Sequence, residues 1–139
     1  MQKTNKKFIL FILLVILSLV ISVKAQSEQE LLLKRRVDLF YKYFTDGKID
    51  KMSELASKKN RQENSDDKNS KKYRIFLKQL SSQKPRICTK ILKIENNRAV
   101  VAVETSFWIK ERQEWLSNTD NNVWIFVDNN WFFESQIER

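Results

Sequence analysis

The chain has 139 residues, 42% of them hydrophobic and 12% aromatic, which fits one packed domain and argues against a disordered chain. A single glycine, Gly47, and a single proline, Pro85, leave no material for a phosphate-binding loop, a dinucleotide-binding turn or a nucleophile elbow. The absence of histidine removes Ser-His-Asp and Cys-His nucleophilic sites and nearly all zinc sites, so neither a metal nor a cofactor is expected.

The formal net charge is +9, but Lys3, Lys6, Lys7 and Lys24 lie in a leader without acids, leaving +5 on residues 26–139. The remaining lysines are scattered among asparagines. That pattern does not mark a nucleic-acid site; a polyanionic envelope surface is the partner that such a charge would suit. The one cysteine, Cys88, has no partner for an internal disulfide, and its place in an alternating apolar strand leads us to expect it buried.

Taken in chain order, Lys3, Lys6 and Lys7 form a basic start, Phe8 to Val23 is apolar apart from Ser18 and Ser22, and Val23-Lys24-Ala25 resembles a cleavage site before Gln26. Residues 1–25 therefore read as a signal peptide, and residues 26–139 as an exported domain, secreted or periplasmic. The apolar run is long for a signal and short for a full membrane span, so an uncleaved anchor stays open as an alternative. Membrane contact is expected only in that case.

From Ser27 to Phe44 the residues Leu33, Val37, Phe40 and Phe44 recur at helical spacing, with Leu31, Leu32 and Tyr41 widening the stripe. Asp46-Gly47 ends this helix, and Ile49, Met52, Leu55 and Ala56 mark a short second one. Lys58 to Lys72 has no apolar residue, so a mobile polar loop is expected over 58–72. Tyr73, Phe76, Leu77 and Leu80 mark a third helix.

After Pro85 the period changes from helical to alternating. Strands are expected near Arg86–Ile94, Arg98–Ile109, Asn122–Val127 and Trp131–Ser135, with turns at Asn96-Asn97 and Asn129-Asn130. Lys110–Asn121 is ambiguous, with Trp115 and Leu116 suggesting strand extensions and Ser117–Asp120 a polar tip. The first turn sets Ile94 against Ala99, Leu92 against Val101 and Lys90 against Val103, on the face that continues to Phe107 and meets the helices. The second sets Phe126 against Phe133, sharing a face with Trp124 and Trp131. The opposite face collects Val100, Trp108, Val123, Ile125, Val127 and Phe132, where a half-buried sheet should be polar.

Three stretches carry a resemblance to a known superfamily. Phe40-Tyr41-Lys42-Tyr43-Phe44-Thr45-Asp46-Gly47-Lys48-Ile49 looks like the helix–Gly–helix corner of nuclear transport factor 2-like domains. Ile94-Glu95-Asn96-Asn97-Arg98-Ala99 resembles their hairpin into the long central strand, and Trp124 to Phe133 their terminal hairpin. The resemblance spans Ser27 to Ser135. It implies an α+β cone, with N-terminal helices packed on the concave face of a curved four-stranded antiparallel sheet. It does not imply a function, since the superfamily holds isomerases, dehydratases, cyclases and binding-only domains. A strand pair that many members carry after the second helix is replaced here by the polar run 58–72.

Two sets of candidate residues follow. Tyr41, Lys90, Phe107, Trp124, Trp131 and Phe133 would line the cone and take an apolar or anionic small ligand. Val100, Trp108, Val123, Ile125, Val127 and Phe132 would pair two copies across the sheet. No catalytic residue is assigned. The functional expectation is an exported, non-catalytic binding or assembly module; the alternative is a small-molecule isomerase, dehydratase or cyclase of the same fold.

Overall fold

The computed structural model describes residues 6–63 and 67–137. Helices come first and strands second: α1 Lys6–Thr45, α2 Ile49–Glu54, α3 Lys58–Glu63 and α4 Asp67–Ser82, then β1 Arg86–Glu95, β2 Arg98–Ile109, β3 Glu114–Val127 and β4 Asn130–Ile137. The chain divides into two units, Met1–Leu32 and Leu33–Arg139. In the first, Phe11 to Leu17 are exposed; among the described residues no helix is long and apolar enough to cross a membrane.

The second unit is an α+β domain. Its strands form an antiparallel meander in the order β1-β2-β3-β4, and the helices cover one face. The stripe Leu33, Val37, Phe40 and Phe44 of α1 is buried, as its helical spacing requires. Gly47 (φ +69) then turns the chain: Lys48 N–H donates to the Tyr43 carbonyl and Gly47 N–H to the Phe44 carbonyl, which satisfies two carbonyls at the helix end. The turn delivers Ile49, Met52 and Leu55 into the same core, opposite Ala99, Val101, Val103, Trp124 and Trp131.

Residues 58–72 are not the expected loop: apart from 64–66, which lie outside the described residues, they are helical in α3 and the start of α4. A helix needs only local hydrogen bonds and a cap, not apolar side chains. Ser57 supplies the cap, its Oγ accepting from Asn60 N–H at 3.0 Å. No α3 residue is buried, and polar contacts hold it to the sheet. Asn60 Nδ2 donates to the Glu134 carbonyl (2.8 Å), and Lys59 lies 3.8 Å from the Glu134 carboxylate.

The residues just before α3, with Arg36 of α1, close the outer edge of β4. Phe133 N–H donates to the Leu55 carbonyl and Ser57 N–H to the Phe133 carbonyl, and Arg36 Nε donates to the Trp131 carbonyl. Strand edges left open recruit other chains, so these bonds remove a site of unwanted pairing.

The register of β1 departs from expectation. Ile94 opposes Ala99 as expected, but a bulge at Leu92 sets Lys93 against Val100 and Ile91 against Val101. One extra residue on one strand exchanges the faces of everything beyond it. Ile87, Ile91 and Ile94 therefore pack on the core, whereas Leu92, Lys90 and Cys88 are exposed. The expectation of a buried Cys88 is corrected for this reason.

At the other end β3 begins at Glu114, and the turn is Lys110–Gln113 with Gln113 at φ +54. Ser117–Asp120 is not a tip. It is paired strand, with Ser106 opposite Ser117 and Val103 opposite Asp120. The last turn is Asp128-Asn129, both at positive φ, so Phe126 opposes Trp131 and Trp124 opposes Phe133.

Candidate functional site

The core-side candidates do not form one group. Trp124 and Trp131 are fully buried, and Phe40 fills the space beside them. Its ring centroid lies 5.5 Å from Trp124, 5.1 Å from Phe133 and 5.2 Å from Tyr41. Edge and stacked contacts at such spacings are favourable aromatic packing, so these rings pack on one another in the interior. Phe107 is partly buried on the hairpin beyond them, and Lys90 is on the opposite face of the sheet.

One polar cluster penetrates this core. Asn122 shares the Trp124 face of β3 and is 1% exposed, and its Nδ2 donates to the Tyr41 hydroxyl. Among the described residues neither Asn122 Oδ1 nor Trp124 Nε1 has a hydrogen-bond partner. Burial pushes the Tyr41 phenol up; the Asn122 bond acts the other way, and the charge of Asp120 adds to the rise. The Tyr41 hydroxyl is thus held in its protonated form. Asp120, expected in the polar tip, is paired strand and lies on the core side of β3 opposite Val103. Its spacing of two from Asn122 and four from Trp124 was the signal for the face that it occupies.

The six outer-face candidates do share one face, but not one patch. Val100 opposes Val123, and Ile125 opposes Phe132, at one end. Trp108 opposes Trp115 at the other, eight residues along β2 from Val100, or about 26 Å. Between them lie the pairs Ala102–Asn121, Glu104–Thr119 and Ser106–Ser117, a largely polar band. Val127 is 43% exposed, Ile125 and Phe132 are half-buried, and Val123 is buried without belonging to the core cluster. Arg36 lies over the Phe132 ring, 5.2 Å from its centroid.

Among the described residues, no three His, Cys, Asp or Glu side chains gather where they could hold a metal ion. No protein-family model matches the chain, and no curated protein matches it.

Proposed function

We propose that the chain is an exported, non-catalytic domain of nuclear transport factor 2-like architecture that assembles through the outer face of its sheet. The observation that carries the proposal is the apolar patch of Val100, Ile125, Val127 and Phe132 on the face turned away from the helices. Contiguous apolar surface of this kind marks interfaces. A two-fold axis would set the patch against its own copy, the commonest arrangement for small soluble proteins. The aromatic interior supports a binding surface outside the cone, since Phe40, Trp124 and Phe133 pack on one another there. An isomerase-type reaction would instead have to use Tyr41 and Asp120.

Two measurements test this reading. Sedimentation velocity at micromolar concentration is expected to show a dimer, and a monomer at every concentration would defeat assembly. Intact-mass measurement of protein recovered outside the cytoplasm is expected to give a chain starting at Gln26, as the basic start, apolar run and Val23-Lys24-Ala25 imply. A retained Met1 in the membrane fraction would replace the cleaved leader with an anchor.

A further inference from the structure

At the hairpin end of the outer face, Arg86, Ile87, Cys88, Glu104, Ser106 and Trp115 line an open depression of about 400 Å3. The Arg86 guanidinium lies over the Trp115 indole, 3.8 Å from its centroid. Stacking holds the planar cation in place and leaves its N–H donors free at the rim. The Ser106 and Ser117 hydroxyls share one hydrogen bond at 2.7 Å, which leaves the second hydroxyl proton available to another acceptor. Beside them Trp108 packs on Trp115 at 5.6 Å and is itself 45% exposed. Among the described residues neither Arg86 nor Glu104 has a salt-bridge partner.

We propose that this depression and the Trp108 surface beside it bind a neutral oligosaccharide chain. A sugar ring offers an apolar C–H face and a rim of hydroxyls that donate and accept. The site offers the complement: a rigid indole surface at Trp108, a carboxylate acceptor at Glu104, and donors at Arg86 and the serine pair. The charges select against ions, because an anion meets Glu104 and a cation meets Arg86. The volume lies near the lower end of the range of about 300–1,000 Å3 for small-ligand sites. An open depression along a sheet suits a stretch of a longer chain better than an enclosed small molecule. The site uses Glu104, Ser106 and Ser117 of the polar band and none of Val100, Ile125, Val127 and Phe132, so the inference does not rest on the dimer.

The test follows the four indole N–H signals of the 15N-labelled protein during titration with chitotetraose, cellotetraose and maltotetraose. At least one tetrasaccharide is expected to move the Trp108 and Trp115 signals while the buried Trp124 and Trp131 signals stay fixed. Trp108→Ala is expected to weaken that binding by about tenfold, as loss of an aromatic anchor does. Glu104→Gln, which keeps the shape and removes the charge, is expected to weaken it by about fivefold. Unmoved Trp124 and Trp131 signals establish that each variant is folded. The proposal is overturned if none of the three sugars moves Trp108 or Trp115, or if Trp108→Ala binds as well as the unchanged protein. It is equally overturned if glycine or inorganic phosphate moves the same signals at the same concentration.

Discussion

Trp124→Ala is expected to cost the domain a large part of its stability, while Trp124→Phe costs much less. Trp124 is fully buried and meets Phe40 edge-on at 5.5 Å and Phe133 at 5.9 Å, so truncation leaves a cavity that several rings border. Replacing a large buried aromatic by alanine costs about 3–5 kcal/mol. The net stability of a small domain is about 5–15 kcal/mol, so a domain at the lower end of that range is left with little. Phenylalanine keeps most of the volume. The one polar atom it deletes, Nε1, has no hydrogen-bond partner among the described residues, so no such bond is lost and the expected cost, from the smaller ring, is about 1–2 kcal/mol. Urea unfolding followed by far-ultraviolet circular dichroism measures both. Equal losses for the two variants would mean that the indole N–H matters more than the packing.

The elements that the sequence made legible are those whose side-chain period is sustained. Leu33, Val37, Phe40 and Phe44 of α1, the α2 residues after Gly47 and the whole of β2 lie where their spacing puts them, because burial of one face leaves a single rotation of helix or strand available; Leu31 and Leu32, expected to widen the α1 stripe, are exposed. The faces of the β3–β4 hairpin survived a wrong turn. Moving the two-residue turn from Asn129-Asn130 to Asp128-Asn129 shifts each pairing by two residues, and an even shift keeps Trp124, Phe126, Trp131 and Phe133 on one side. The β1 bulge had the opposite effect. Leu92 is one additional residue, an odd shift, and it carried Lys90 and Cys88 to the outer face and Ile87 and Ile91 to the inner one. Nothing in the alternation of Arg86–Glu95 distinguishes a regular strand from a bulged one when lysines and isoleucines occur at both parities.

The candidate site was legible in part for the same reason. Outer-face membership of Val100, Trp108, Val123, Ile125, Val127 and Phe132 follows from parity, and the structure keeps it. Their division into two patches depends on how far β3 extends toward its N-terminal end. A run such as Ser117-Asn118-Thr119-Asp120 has the composition of a turn. Its strand conformation is set by cross-strand partners, with the Trp108–Trp115 pair closing the hairpin beyond it. The Tyr41–Asn122 contact joins residues far apart in sequence, and only the packed helix and sheet reveal it. The polar helix α3 offers no apolar period to read, because its Ser57 cap and the Asn60 and Lys59 contacts to Glu134 hold it rather than buried side chains.

Ile125→Lys is expected to split the proposed dimer without unfolding the protomer. Ile125 lies on the outer face, opposite Arg98 on β2 and Phe132 on β4, and is half-buried, so a lysine there keeps its stem along the sheet and reaches water in the monomer. In a two-fold interface the same substitution occurs on both sides, and two ammonium groups would be desolvated close to one another. The effective penalty for burying an unpaired charge is several kcal/mol; at about 3–5 kcal/mol the dissociation constant rises by roughly two to three and a half orders of magnitude. Sedimentation velocity should then show a monomer at concentrations where the unchanged protein is dimeric, with little change in the thermal midpoint of the protomer. Lys90→Glu is the matching control, since Lys90 is exposed on β1 outside the patch, and that variant should remain a dimer. A dimer that tolerates Ile125→Lys would place the interface elsewhere and overturn assembly through this face. A dimer split by Ile125→Lys and not by Lys90→Glu fixes both the interface and the parity of β3 that puts Ile125 on it.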